Sequence, residues 1–250
     1  MRQVVLWLCL ATSVGAYADP SDLAPLSQNA SQKSFSDAEV QNYASGRYRA
    51  LISNLALQSA LDDDPELLFR ARKILSTLLA TAKALKPDAA EWQWELHVTS
   101  SDDYDGLCLA GGKILLGAGF IRTLKLSDPE LAMVIAHEVA HALAQHQGEE
   151  LSSARSLLPA KFPRALKDVV SAMRFDYGMQ IKLASLSRRQ EIEADRLGLL
   201  LASRAGWSMP ALIGFFEKLS NNDDGRGDFT HPSPDARLYY VKRTAATMIP

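Results

Sequence analysis

In the segment Ala136-His137-Glu138-Val139-Ala140-His141 two histidines stand four residues apart, and residues four apart share one face of an α-helix. On such a face both imidazoles can address one metal ion while Glu138, the next residue, projects beside them toward a bound water. That is the geometry of a zinc hydrolase. A catalytic zinc site wants three protein ligands and one open position, so a third ligand must come from elsewhere. Arg188-Arg189-Gln190-Glu191-Ile192-Glu193-Ala194-Asp195 offers one: Glu191 and Asp195 are again four apart, with Glu193 on another face. With Glu191 on the metal, Asp195 falls one turn along, where it can accept the second ring N–H of a zinc-bound histidine and fix its tautomer. Ala194 is small enough to let two helices approach. Taken without the histidine motif, the same segment would be a solvated face in which Glu191, Glu193 and Asp195 pair with Arg188, Arg189 and Arg196.

These residues need elements to hold them. Ser127-x-x-Glu130 with Pro129 is a capping box that predicts a helix to about Gln147, and Ser187-x-x-Gln190 predicts a second to about Arg204, ended by Ala205-Gly206. Upstream, Ser36-x-x-Glu39 opens a helix with Val40, Ala44, Tyr48, Leu51 and Leu55 on one face, stopped by Asp62-Asp63-Asp64-Pro65. Leu67, Ala71, Ile74, Leu75, Leu78 and Ala82 keep helical spacing from Glu66 to Leu85. The period then becomes two, with Trp92, Trp94, Leu96 and Val98 alternating with Gln93, Glu95 and His97, which predicts a strand. After a turn at Asp102-Asp103-Tyr104-Asp105-Gly106, Leu107 to Leu116 is broken by Gly111-Gly112 and predicts two short strands. Helices follow over Ser208 to Leu219 and from Ser233-Pro234-Asp235 to about Thr247. The expected class is α+β, mostly helical with a small sheet. No internal repeat or dividing linker appears, so residues 36–250 are expected to form one domain.

With 250 residues, 47% hydrophobic and 22% charged, the composition is that of a globular protein with a sizeable core. The formal charge of -2 leaves no basic surplus for phosphates, so no nucleic-acid partner is expected. Residues 1–18 have the pattern of a signal peptide: Arg2, an apolar stretch from Val4 to Val14, and Ala16-Tyr17-Ala18 as a small-x-small cleavage site. Residues 19–35 are expected to be a flexible leader. Export is expected, to the periplasm first and the exterior second, with no transmembrane span in the mature chain. Cys9 would leave with the signal, so Cys108 has no disulfide partner and is expected in the core. His97 is expected to be hydrogen-bonded or solvent-facing, and the aspartates at 102, 103 and 105 to form a solvated turn.

The three motifs His137-Glu-Val-Ala-His141, Glu191-Ile-Glu-Ala-Asp195 and His231-Pro232, in that order and with Asp128-Pro-Glu-Leu-Ala before the first, resemble the HtpX and CaaX-prenyl-protease type of zinc metallopeptidase, a gluzincin family. The resemblance runs from about Glu66 to the C-terminus. It implies a zincin-like domain with one Zn2+ per chain on His137, His141 and Glu191, and Glu138 as general base. It also matches Gly111-Gly112-Lys113-Ile114 to the family's Gly-Gly strand, an edge strand expected to pair with an extended substrate. Where the family carries Asn-Ala before that strand, this chain has Asp105-Gly106. His231 is expected either to donate to the tetrahedral intermediate or to cover the open zinc position in a latent enzyme, the alternative being a structural His-Pro turn. Arg237 is expected beside a carboxylate of the site or in a surface ion pair. The function that follows is a soluble exported zinc endopeptidase acting on unfolded or misassembled envelope proteins, with envelope or outer-membrane assembly partners. The rival from another class is a zinc-stabilised, chaperone-like module that holds clients without cutting them. Residues from about Glu149 to Leu186, between the two metal motifs, could form a lid over the cleft.

Overall fold

The computed structural model describes residues 33–163, 165–222 and 231–248. The expected signal peptide, and the leader up to residue 32, lie outside the described residues. The Ser36 capping box forms: Ser36 Oγ accepts from Glu39 N–H at 3.2 Å and Glu39 Oε2 accepts from Ser36 N–H at 2.8 Å, opening helix α1 (Asp37–Leu57). That helix stops short of Asp62, because Ser59 turns into the left-handed region (φ 55°) and Leu61 bridges to Thr99. Helix α2 (Pro65–Leu85) starts at Asp64, whose Oδ1 accepts from Leu67 N–H at 2.9 Å.

Three strands follow: β1 (Glu95–Thr99), β2 (Gly106–Leu109) and β3 (Lys113–Gly117). Trp92 and Trp94 precede the first strand instead of belonging to it; Trp94 Nε1 donates to Ala89 C=O at 3.0 Å, closing a 3-10 turn over Pro87–Ala90. The order is β1-β3-β2, with β1 parallel and β2 antiparallel to β3. This corrects the expectation that Gly111-Gly112-Lys113-Ile114 leads an edge strand. Both glycines take φ +79° to fold β2 back onto β3, β1 occupies the other side, and all five residues of β3 are buried. An apolar run buried on both faces is the mark of an interior strand. The edge next to the metal motif is β2.

The rest is helical. After α3 (Ala118–Thr123), Glu130 Oε2 accepts from Ser127 N–H at 2.7 Å and α4 (Asp128–Ala144) begins. It ends earlier than expected because Gln145 adopts φ 60°, ψ 34°, and the chain restarts as α5 (His146–Leu157). Then come α6 (Leu166–Phe175), α7 (Tyr177–Arg204), α8 (Met209–Asn221) and α9 (Pro234–Met248). The expected start of α7 at Ser187 is corrected: Ser187 lies inside the helix with its Oγ on Leu183 C=O, and the cap is Asp176, which accepts from Met179 N–H at 3.0 Å. Met179, Leu183 and Leu186 extend the apolar face N-terminally, where they pack with Leu151, Ala154, Leu158 and Val169. The stretch read as a lid therefore carries two helices and the first turns of α7, with an apolar cluster of its own.

Helix α4 runs through the main core and packs against α2, α7 and α8. Its contact with α7 is close because α7 offers small residues there. A Cβ at Gly198 would stand 2.9 Å from the His137 backbone nitrogen and 2.9 Å from Met133 Cε. In an exposed helix Gly→Ala stabilises by about 1 kcal/mol. Here the methyl must wedge α7 off the backbone that carries His137, and overpacking costs about 1–3 kcal/mol. Gly198→Ala is therefore expected to lower the melting temperature and loosen metal retention, read by thermal unfolding with and without zinc; a raised melting temperature would contradict this packing.

Candidate metal centre

Because Leu131 to Ala136 are buried in succession, α4 carries its first histidine into the core instead of onto the surface. His137 Nε2 and His141 Nε2 lie 3.0 Å apart, Glu191 Oε2 is 3.4 Å from the first, and Glu191 Oε1 is 3.3 Å from the second. One ligand atom from each residue falls within 4.8 Å of the others. Donors held about 2.0–2.1 Å from a tetrahedral centre stand about 3.3 Å apart, so this nitrogen–nitrogen–oxygen set matches zinc in both chemistry and spacing. His231 brings its Nδ1 to 3.1 Å from Glu191 Oε2, although half of its side chain is open to solvent.

Both histidines have their outer nitrogen fixed. His137 Nδ1 meets Asp195 Oδ1 at 2.9 Å, and a carboxylate can only accept, so the ring keeps its proton there and Nε2 is the nitrogen it can offer to a metal. Asp195 is gripped by Arg237, whose Nε and Nη2 donate to Oδ2 at 2.8 Å and to Oδ1 at 2.6 Å. His141 Nδ1 meets His146 Nδ1 at 2.9 Å, and His146 Nε2 lies 3.4 Å from Glu193 Oε2. A proton on His146 Nε2 toward Glu193 would let its Nδ1 accept from His141 Nδ1–H and leave His141 Nε2 for a metal.

Electrostatics support a cation site. Burial opposes charge on His137, but the Glu191 and Asp195 carboxylates outweigh it and hold its pKa up to about 10, the same field that a divalent cation meets. Burial takes His141 down to about 4, so its ring is neutral. Burial acts to raise Glu191 and Asp195, yet their cationic and hydrogen-bonding neighbours lower both, Glu191 to well below the ordinary carboxylate range. Glu138 is different. Burial, reinforced by Glu191, lifts it to about 7. A group poised there near neutral pH is suited to exchanging a proton.

The family model described as Peptidase family M48 matches residues 69–245 of the chain. This chain belongs to peptidase family M48. The mitochondrial metalloendopeptidase OMA1 of Arabidopsis thaliana is 35% identical to it over 150 residues, 58% of this chain and 30% of that protein. The OMA1 of Schizosaccharomyces pombe is 27% identical over 223 residues, 84% of this chain and 63% of its own. The beta-barrel assembly-enhancing protease of Escherichia coli K12 is 24% identical over 271 aligned residues, 100% of this chain and 53% of its own. The chain thus spans between 30% and 63% of the length of these three relatives. M48 peptidases are zinc-dependent, and the donor set fits that metal.

Most of the expected site residues converge. His137, Glu138, His141, Glu191, Asp195, His231 and Arg237 form one cluster across α4, α7, α9 and the segment just before α9. The expected substrate strand does not join it as a whole. Gly111 lines the cleft, but Gly112 lies under the Trp94 ring, Lys113 Nζ pairs with Glu95 Oε1 at 2.6 Å, and Ile114 is fully buried in β3. His97 is hydrogen-bonded, its Nδ1 2.6 Å from Asp62 Oδ2. Burial pushes the Cys108 thiol well up, so it stays protonated in the cleft wall. Sequence reasoning missed two features. His146 is not at helical spacing from His141, because the left-handed Gln145 intervenes. A Cβ at Gly106 would stand 2.8 Å from Glu138 Oε1, so the bare glycine gives that carboxylate room, a contact no local pattern announces.

Proposed function

We propose that the chain is a zinc endopeptidase that cleaves extended segments of unfolded or misassembled envelope proteins in the periplasm. The observation that carries this reading is the position of Glu138, which is largely buried, lies beside the donor set, and abuts the free strand edge at Gly106. Gly117 N–H donates to Asp105 C=O at 2.9 Å, and by the alternation of an antiparallel pair Leu107 and Leu109 then face β3. The main-chain groups of Gly106 and Cys108 turn outward, and Ala110 N–H is closed off by Gln147 Oε1 at 2.8 Å. A substrate strand added along Gly106–Cys108 would bring a peptide bond past Glu138.

His137, His141 and Glu191 are the proposed ligands, with Asp195 and Arg237 holding His137. When bound, zinc polarises a carbonyl and lowers the pKa of water from about 15.7 to about 7. Glu138 takes one proton of the attacking water as the new C–O bond forms, then returns it to the amide nitrogen as the C–N bond breaks, leaving a carboxyl and an amine. His231, placed at the edge of the set on a solvent-open side, is assigned the donor role toward the oxygen that gains charge. The name of the E. coli relative supports envelope substrates, and the signal-like start of the chain supports export. No helix among the described residues is long and apolar enough to cross a membrane.

Incubation with an unfolded outer-membrane β-barrel protein and with its folded form is the test. Fragments are expected from the unfolded form alone, lost on chelation and restored by one equivalent of zinc. Cutting that persists in chelator would overturn the metal mechanism, and equal cutting of folded barrels would overturn the substrate class.

A further inference from the structure

A cavity of about 340 Å³ opens beside His141, lined by residues of β2, the start of α1 and the start of α5. Its walls are partly apolar, with Val40, Trp92, Leu107 and Leu109 among them. Among the described residues of its lining the formal charges are all negative, Asp37, Glu150 and Glu191, with no lysine or arginine. Two of these are already engaged. Asp37 accepts from Lys33 Nζ and Gln145 Nε2, both at 2.8 Å, and Glu191 belongs to the donor set. Glu150 is left; among the described residues its carboxylate makes no hydrogen bond or ion pair.

The direction of Glu150 follows from its helix. Residues 146, 150 and 154 share one face of α5, and His146 and Ala154 on that face are buried. A long helical side chain leans toward the N-terminus, here over the His146 turn and so toward the cleft. Burial raises its pKa, as for a carboxylate short of a partner.

We propose that this cavity is a side-chain subsite of the peptidase and that Glu150 selects a lysine or arginine of the substrate there. The inference rests on the endopeptidase reading above and names the substrate class of that same cleft. Lysine and arginine bury their methylenes along apolar surface while presenting a charged head, which suits apolar walls with one carboxylate. An acidic side chain would meet Glu150, with no lysine or arginine among the described residues of the lining to compensate it.

The test uses fluorogenic peptides of one sequence in which each position flanking the scissile bond is varied among lysine, leucine and glutamate. The zinc-loaded parent is expected to favour lysine over leucine at one of these positions by about ten- to a hundredfold in kcat/KM, the range of a charge-assisted contact. Glu150→Gln should bring that ratio toward one, and Glu150→Lys should turn the preference to glutamate. The same peptides are also titrated onto the non-cleaving Glu138→Gln protein by fluorescence anisotropy. Cutting without a basic preference, or a preference unchanged in both Glu150 variants, overturns the subsite and leaves the peptidase intact. Absence of cutting by the parent, with a lysine preference in binding that Glu150→Gln removes, overturns the peptidase and keeps the subsite. Absence of preference in both assays overturns the subsite.

Discussion

Glu138→Gln is expected to keep one zinc per chain and to lose about 10²–10⁴-fold in kcat/KM on an unfolded protein, the loss associated with removing a positioned general base. The separation of effects follows from the geometry. The donor set consists of His137, His141 and Glu191, and Glu138 is not among them. Glutamine has the same shape, so it fills the space beside Gly106 and leaves the packing of α4 against β2 as it is. What it cannot do is take the proton of the attacking water. A variant that cuts at the parental rate would remove Glu138 from the mechanism, and a variant that loses zinc as well would place Glu138 among the ligands. Metal analysis and single-turnover cleavage on one preparation distinguish these results.

The reason so much of this site was legible from the sequence is that its first ring is made of local spacings. His137 with His141, and Glu191 with Asp195, are each one helical turn apart, so their shared face follows from 3.6 residues per turn without knowledge of the fold. Glu138 is assigned by adjacency alone. The features that were not legible depend on where the chain breaks or on which strand neighbours which. His146 reaches His141 only because Gln145 takes φ 60° and redirects the helix. The centre of the sheet was misplaced because Gly111-Gly112 marks a turn but not the third strand's partner; the burial of every residue from Lys113 to Gly117 settles that β3 is internal. Ser187-x-x-Gln190 has the residues of a capping box, yet Met179, Leu183 and Leu186 continue the same apolar face upstream, and the packing they gain outweighs a local cap. A cap signal competes on the order of 1 kcal/mol, less than the burial of three large apolar side chains.

Arg237→Ala is expected to be the most destabilising single change in the site, by about 3–5 kcal/mol, the cost of leaving a buried charge without its partner. Asp195 is only 1% exposed, and both of its oxygens are held by one guanidinium. Without Arg237 that carboxylate keeps a single hydrogen bond, from His137, in a place water does not reach. The damage should travel along the chain of contacts to the metal: Asp195 loses its orientation, His137 its fixed tautomer, and zinc affinity should fall by about 10–100-fold, as when a partner of a metal-bound histidine is removed. Arg237→Lys should recover only part, since one ammonium cannot span two oxygens. The double variant Arg237→Ala, Asp195→Asn should unfold later than Arg237→Ala alone, because the uncompensated charge is gone while the zinc defect remains. Denaturant melts at saturating and at chelated zinc measure both quantities. If Arg237→Ala melts within about 1 kcal/mol of the parent, the pair is doing no more than a surface salt bridge does, and the support of His137 must come from elsewhere.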